Sequence, residues 1–291
     1  MEDVFCFRYL LSIRKYREQV DKKCKKCQNK KRCVKNLKNI ERFGKSMGEN
    51  YENIERLRRV IRDANSIVAF CGADMVRASG YADLESDDVF YDIEERYHAS
   101  TTELYSSRCF NTRPEKFFEF YRNEVIGEQQ ISAGYYALAE LERRGKIRSI
   151  ITKDVHGIPQ KAGCQRVIEP LGNIYKNECP KCKRQYGIDY IKNGDKVPRC
   201  ESCHTAIHPG IVLPGEMVPN HIMTAMVDAI SRADVLLLLG MTEVFYELEK
   251  MIQYYKQDKL VYIRKMSMEP NDRVNIFIND TVEAVLPQAI I

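Results

Sequence analysis

The chain has 291 residues, a length that suits one large α/β domain or two modest ones. Hydrophobic residues make up 44% of it and charged residues 30%, which excludes a multi-span membrane protein and a chain that is disordered over most of its length. The net charge is only +5, but there are eleven cysteines. The opening residues, MEDVFCFRYLL, contain no apolar run of the signal-peptide kind. The cysteines therefore predict thiols and metal ligands in a reducing intracellular compartment, such as the cytoplasm, rather than disulfides.

The positive charge is concentrated in the first fifty residues. They hold fifteen Lys/Arg against six Asp/Glu, a local charge of +9, which leaves −4 for the rest of the chain. Cys24, Cys27 and Cys33 lie close together there, with Cys6 upstream, so a second metal site is one interpretation. A solvated basic helix pair and a patch that binds nucleic acid or a protein partner are the alternatives. We treat 1–50 as a separate basic segment and 51–291 as the folded domain.

From residue 51 onward, helical and strand patterns alternate along the chain. In chain order they predict a helix at 54–64, a strand at 66–70, a helix at 130–144, strands at 149–152, 167–169 and 210–213, a helix at 221–232, a strand at 235–239, a helix at 244–256, strands at 260–263 and 275–278, and a terminal helix from 284. Continuous apolar strands between helices are typical of a doubly wound, Rossmann-like parallel sheet. The longest apolar stretch, VLLLL at 235–239, is strand-sized, so we expect no membrane span.

Four further cysteines have the spacing of a zinc ribbon. Two CxxC pairs are separated by seventeen residues, within a segment of about 176–206: Cys179, Cys182, Cys200 and Cys203. Four thiolates complete a tetrahedral shell and leave no open coordination position. The sequence therefore predicts one structural zinc ion.

Several segments from about Ile54 to the C-terminus resemble the sirtuins, the family of NAD-dependent protein deacylases. After the first strand the chain reads GADMVRASGYADLE (72–85), where the family has GAGxS-x2-SGIPDFR. TKDVHGIPQKAG (152–163), EPLGN (169–173), PGIVLPGEMVP (209–219) and ADVLLLLGMTE (233–243) follow in the family's order. The resemblance implies a doubly wound domain with an inserted zinc ribbon, a helical insertion at about 86–124, and a cleft for NAD and a peptide.

The loop that meets NAD in sirtuins carries acidic substitutions here. The resemblance places the cofactor against Gly72, Ala73, Ser79, Asp83, Thr152 and Gly240. The glycine that lets the backbone reach the pyrophosphate is Asp74, and the arginine that closes the loop is Glu85. A like charge at ~4 Å costs about 4 kcal/mol at an effective dielectric constant of 20. Arg77 compensates only in part, so we expect impaired NAD binding.

The residues implied for catalysis differ as well. In sirtuins a histidine accepts a proton from the NAD ribose during acyl transfer. The matching residue here is Leu171, whose side chain can neither accept nor donate a proton. The polar residues of the nicotinamide pocket correspond to Lys153, Asp154 and His156, and the adenosine-side asparagine to Arg264. His156 is the candidate replacement base; a structural hydrogen-bonding role is the alternative.

Three functional hypotheses follow from these motifs. The main one is a pseudoenzyme, a sirtuin-fold protein whose deacylase chemistry is lost or altered and which binds a peptide or small molecule in the cleft. The second is an active NAD-dependent protein deacylase or ADP-ribosyl transferase that uses His156 or Glu85. The third is nucleic-acid or partner binding through residues 1–50.

Overall fold

The computed structural model describes residues 50–82, 84, 87–127, 130–241, 250–266 and 272–290. By its internal contacts the chain divides into two units, Met1–Glu55 and Arg56–Ile291, and the second contains all the described strands. The proposed N-terminal metal ligands Cys6, Cys24, Cys27 and Cys33 lie outside the described residues. The second metal site, the nucleic-acid hypothesis, the domain boundary at residue 50 and the intracellular location all stay predictions.

The central sheet has six parallel strands in the order β3-β2-β1-β6-β7-β8. With the two-stranded insert β4-β5 set aside, this is the strand order of a Rossmann fold. β1 and β6 are buried along their whole length because they are central strands, which is why their sequences are continuously apolar. The predicted fold class is confirmed. The eight strands are β1 (Ile67–Cys71), β2 (Ile147–Thr152), β3 (Val167–Ile168), β4 (Asn177–Glu178), β5 (Gln185–Tyr186), β6 (Val235–Leu239), β7 (Leu260–Ile263) and β8 (Ile276–Ile278).

Eleven described helices surround or extend this sheet. The predicted helix at 244–256 lies partly outside the described residues. Within its described part, residues 250–252 are helical. The other predicted helices are confirmed, the terminal one starting slightly earlier than expected. None of the described helices is long and apolar enough to cross a membrane. In chain order they are α1 (50–63), α2 (Ala73–Ala78), α3 (Asp87–Tyr97), α4 (Thr101–Leu104), α5 (Ser107–Thr112), α6 (Pro114–Phe120), α7 (Ala133–Arg143), α8 (Ile158–Lys161), α9 (Ile188–Asn193), α10 (Asn220–Ser231) and α11 (Val282–Ala289), with a π-helical turn at Tyr121–Val125.

The helical insertion and the zinc ribbon share one hydrophobic core. Phe117, Phe118 and Tyr121 from the insertion belong to the same buried cluster as Tyr186 and Ile191 from the ribbon. The side chain of Arg122, in the π-helical turn, reaches across this boundary. Its Nε donates to the carbonyl of Ile191 at 2.7 Å, and its Nη atoms donate to the carbonyls of Asp195 and Lys196. The insertion therefore fixes the position of the ribbon.

The predicted strand at 210–213 is wrong. Only a single bridge forms there, between Ile211 and Gly172. Pro209 and Pro214 flank the segment and lack the N–H groups that a ladder needs. The segment instead pairs with the loop after β3, through Val212 N to the carbonyl of Leu171 at 2.9 Å. This apolar run thus lies beside the loop that contains Leu171 and does not join the sheet.

The carboxyl ends of β1 and β6 approach each other too closely for any side chain. A Cβ atom on Gly72 would lie 2.3 Å from the carbonyl oxygen of Gly240. The amide of Gly72 donates to the carbonyl of Leu239 at 2.8 Å, and that of Asp74 to the carbonyl of Gly240 at 3.0 Å. This contact places the start of α2 beside the end of β6.

We expect Gly72→Ala to destabilise the protein, because backbone atoms must move to admit the methyl group. Overpacking of this kind costs about 1–3 kcal/mol. Gly187→Ala is the matched control, since a Cβ atom there meets nothing within 4 Å. Denaturant unfolding followed by circular dichroism measures both variants, and equal midpoints would contradict the close contact.

Candidate active site and zinc site

The four predicted zinc ligands come together at one end of the ribbon. The sulfur atoms of Cys179, Cys182, Cys200 and Cys203 all lie within 4.8 Å of one another. The Cys182 and Cys200 sulfurs are 3.6 Å apart, near the ~3.8 Å expected for a tetrahedral site with Zn–S bonds of 2.3 Å. The donor set is therefore that of a structural zinc ion.

The two CxxC turns have the same backbone geometry. The residue after each second cysteine, Lys183 in one turn and His204 in the other, adopts a left-handed conformation, with φ of 62° and 54°. Its amide donates to the carbonyl of the first cysteine, at 2.9 Å in one turn and 2.8 Å in the other. Such tight turns bring both cysteines of a pair to one point. A hydrogen bond with the Tyr186 hydroxyl lowers the pKa of Cys200, which favours the thiolate form that binds metal.

Loss of one zinc ligand should unfold the ribbon. We expect Cys200→Ser to abolish the single bound zinc and to lower the melting temperature, because metal-binding free energy is folding free energy in such sites. Tyr186→Phe should retain zinc at high metal concentration but release it faster to a chelator. Tyr136→Phe, on an exposed tyrosine of α7, is the control. Metal analysis measures the bound zinc, and the rate of zinc transfer to a chelator measures its release. An unchanged release rate in Tyr186→Phe would show that the hydrogen bond from Tyr186 does not help to retain zinc.

A cleft of about 520 Å³ lies at the carboxyl edge of the sheet. Arg77 of α2 and Lys153, which follows β2, supply positive charge to its wall. Thr101 also lines it, and the Thr101 side-chain oxygen is buried without a hydrogen-bond partner among the described residues. Burial raises the pKa of Tyr105, a further lining residue, so that its hydroxyl stays neutral. The cleft therefore offers cationic and neutral hydrogen-bonding groups to a bound molecule.

Asp74 is paired with two arginines. Its carboxylate lies 3.0 Å from Arg264 Nε and also binds the guanidinium group of Arg77. One carboxylate and two guanidinium groups give this three-residue cluster a net charge of +1. The expected repulsion of an anion is thereby offset. Local sequence does not predict this pair, because Arg264 follows β7 and is far from Asp74 along the chain. The available signal is that both residues follow strands of one parallel sheet.

Asp154 and His156 form a buried network in the loop after β2. The Asp154 carboxylate accepts from the amides of His156 and Ile158, at 2.9 and 2.7 Å, and lies 3.1 Å from His156 Nδ1. His156 Nε2 lies 3.1 Å from the carbonyl of Val125. Both ring nitrogens of His156 are thus occupied by groups of the protein itself. A catalytic role for His156 stays a prediction.

Most of the predicted cofactor-binding residues meet at the carboxyl edge of the sheet. Gly72 and Ala73 follow β1, Thr152 ends β2, and Gly240 follows β6. Ser79 is buried, and its hydroxyl donates to the carbonyl of Met75 at 3.2 Å, which is a contact within the fold. Asp83 and Glu85 lie outside the described residues. Leu171, at the place of the general base, packs against the core that the insertion and ribbon share.

Comparison with known proteins identifies the family. The sequence profile of the Sir2 family matches residues 72–246, more than half of the chain. The chain belongs to the Sir2 family. It is 32% identical over 237 residues to an NAD-dependent protein deacetylase of Clostridium perfringens, a match that covers 81% of this chain and 97% of the relative. An NAD-dependent protein deacetylase of Clostridium acetobutylicum is 31% identical over 236 residues, covering 80% and 96%.

Solved structures agree with this membership in the Sir2 family. A structure titled "The Structural basis of Sirtuin Substrate Affinity" superimposes with a TM-score of 0.72 at 25% identity, covering 80% of this chain and 96% of the other. Another, titled "Sir2-p53 peptide-NAD+", gives a TM-score of 0.67 at 26% identity, covering 80% and 95%. The expected resemblance to sirtuins is therefore confirmed. The expected loss of activity finds no support in these comparisons and stays a prediction.

Proposed function

We propose that this Sir2-family chain is an active NAD-dependent protein deacylase. The observation that carries the proposal is the pairing of Asp74 with Arg77 and Arg264, which gives this cluster a net charge of +1. The relatives described above are NAD-dependent protein deacetylases, and the match to this chain covers nearly their whole length. Impaired NAD binding was expected from Asp74 and Glu85 together, and Arg264 offsets the charge of Asp74. Glu85 lies outside the described residues.

The residues present fit NAD in charge. Arg77 and Arg264 would neutralise a pyrophosphate. When bound, NAD supplies an ADP-ribosyl group that is activated by nicotinamide as the leaving group. The protein's own part is to orient this molecule and to exclude water around the reacting atoms.

An acylated peptide would bind beside the segment 215–218. Glu216 anchors this segment: its carboxylate accepts from the amide of Leu213 at 2.8 Å and lies 2.8 Å from His208 Nε2. The side chain of Met217 is 85% exposed on the anchored segment. An extended peptide could pair with such a backbone as an added strand, with Met217 against one of its side chains.

The apolar side chain of Leu171 favours a second candidate within the same chemistry. Without a proton acceptor at this position, the later acyl-transfer steps slow down, while cleavage of the bond to nicotinamide is affected less. ADP-ribosyl transfer to another acceptor is the activity that such a site would support. Nicotinamide release and deacylated peptide must therefore be measured separately.

We expect Leu171→His to raise the rate of deacylation. The substitution restores a group that can accept the ribose proton, a contribution typically worth about 10²–10⁴-fold. The assay follows nicotinamide and deacylated peptide from NAD and an acetyl-lysine peptide, using zinc-loaded protein. Leu171→Asn, polar but a poor base, is the matched control.

Three results of this assay separate the hypotheses. Peptide deacylation by the unmodified protein supports the deacylase. Release of nicotinamide without deacylation, together with ADP-ribosylated protein, supports the second candidate. If neither the unmodified protein nor Leu171→His releases nicotinamide, both enzymatic proposals are wrong and a binding or regulatory protein is favoured.

NAD should raise the melting temperature of the protein by mass action. Ligand at 100 times its dissociation constant stabilises by about 2.7 kcal/mol. Arg264→Gln leaves Asp74 with one guanidinium partner, so we expect a much smaller shift with NAD. Arg232→Gln, on an exposed arginine at the end of α10, should keep the full shift. An equal shift in both variants would exclude Arg264 from the cofactor site.

A further inference from the structure

A second charged residue of the π-helical turn, Glu124, contacts the end of α3. Its carboxylate accepts from Nη1 of Arg96 at 2.6 Å and from Nη2 at 3.2 Å, through one oxygen each. It also accepts from the hydroxyl of Tyr97 at 2.7 Å. Paired N–H···O bonds between a guanidinium group and a carboxylate are strong and directional. Glu124 therefore joins the turn to the last two residues of α3.

The environment of Glu124 distinguishes this contact from an ordinary surface ion pair. The Glu124 side chain is 13% exposed, against 46% for Arg96. The Tyr97 ring packs edge-on against Phe120, with centroids 5.7 Å apart, and its hydroxyl accepts from Nδ2 of Asn123 at 3.1 Å. Exposed pairs contribute little to stability, whereas a largely buried carboxylate that loses its donors meets little water to replace them. The three hydrogen bonds to Glu124 thus hold this end of α3 in one orientation.

The other end of α3 forms part of the cleft. Phe90 lines the cleft, and so does Leu84 in the segment before the helix. Ile93, between Phe90 and Arg96, is fully buried in the core of the insertion. At 1.5 Å per residue, Phe90 lies about 9 Å along the helix from Arg96. A helix of this length moves as one body, so a change of direction at one end displaces the other.

The contacts of α3 with the rest of the insertion are of two kinds. Val89 and Ile93 pack on the insertion core, but apolar packing is not directional and leaves the helix free to pivot. Arg96 and Tyr97 make the directional contacts, and both end on the π-helical turn. No other side chain within 89–97, the part of α3 whose side chains the structure describes, hydrogen-bonds another element. The orientation of α3 is therefore set at the turn.

We propose that Glu124 is a positioning residue that sets the orientation of α3 and thereby places Phe90 in the wall of the cleft. The consequence for catalysis rests on the proposed function. Arg77 lines the same cleft, so a displaced wall weakens NAD binding and raises the KM for NAD. The placement of Phe90 does not depend on any reaction.

The placement of Phe90 can be measured because the chain contains no tryptophan. Phe90→Trp introduces a single indole into the cleft wall, and its emission maximum and quenching by acrylamide report its contact with solvent. Glu124→Gln in this background keeps the size of the side chain but removes the charge that Arg96 pairs with. We expect a red shift of the emission and stronger quenching. Glu119→Gln, which removes the charge of an exposed glutamate in α6, is the matched control and should change neither.

A second variant breaks the same contact from its exposed side and keeps the proposal testable if Glu124→Gln does not fold. Arg96→Gln should give the same change in the Phe90→Trp background. Combining it with Glu124→Gln should add little, because both substitutions remove one contact. Arg232→Gln is its control, since Arg232, like Arg96, pairs with an aspartate one helical turn earlier.

Two results would overturn the proposal. One is an unchanged or blue-shifted emission when Glu124→Gln or Arg96→Gln is added to Phe90→Trp, while circular dichroism shows a folded protein. The other is an equal red shift from Glu119→Gln and Arg232→Gln, because the shift would then come from the loss of any surface charge. These measurements use the protein without NAD or peptide, so they stand even if the enzymatic proposal fails.

The catalytic part is tested by a split between KM and kcat. We expect Glu124→Gln and Arg96→Gln each to raise the KM for NAD about two- to tenfold, the effect of one charge-assisted hydrogen bond, with kcat little changed. Arg96→Lys keeps the charge but not the paired N–H groups, so its KM should lie between those of Arg96→Gln and the unmodified protein. A fall in kcat at unchanged KM would contradict a positioning role. If the unmodified protein releases no nicotinamide, the proposed function fails, and the fluorescence result still decides the placement of α3.

Discussion

A single buried carboxylate holds together the two parts of the molecule that form the cleft. Asp154 is 1% exposed and accepts two backbone N–H groups of its own loop while contacting the ring of His156. Through that ring it reaches the helical insertion at Val125. A buried charge is tolerated only where such hydrogen bonds satisfy it. The need to satisfy Asp154 therefore orders the loop after β2 and ties the sheet to the insertion.

The π-helical turn that His156 contacts also holds the zinc ribbon in place. Val125 lies in the π-helical turn that also carries Arg122, whose guanidinium group binds carbonyls at the end of α9 in the ribbon. Short π-helical segments occur frequently at functional sites, where they redirect neighbouring side chains. Here one turn directs Arg122 to the ribbon and the Val125 carbonyl to the site loop. The ribbon therefore contributes to the geometry of the cleft. Its four cysteines leave no open coordination position for catalysis.

The charge around Asp74 depends on a residue that is distant in the chain. Asp74 stands where the family has a glycine, which predicts an acidic change beside an expected anion. Arg77 is the partner that the local sequence offers to Asp74, since i and i+3 positions on a helix are neighbours. Arg264 adds a second positive charge from the end of β7, and this contact changes the charge of the cluster from zero to +1. His156 was likewise identified as a site residue, but its stacking on Tyr81 required the folded positions of two loops.

The sequence by itself determined the elements whose physics is local. The continuous apolar strands β1 and β6, the helical periodicity of α7 and α10, and the two CxxC turns each follow from neighbouring residues, and with them the parallel sheet and the fourfold sulfur site. The apolar segment 210–213 was misassigned because its flanking prolines and its pairing with the loop at Gly172 outweigh strand propensity. Only the tertiary structure decided which charges meet at the carboxyl edge of the sheet. Ion pairs and ring contacts act over a few ångströms between residues far apart in the chain, and those distances exist only once the sheet has formed.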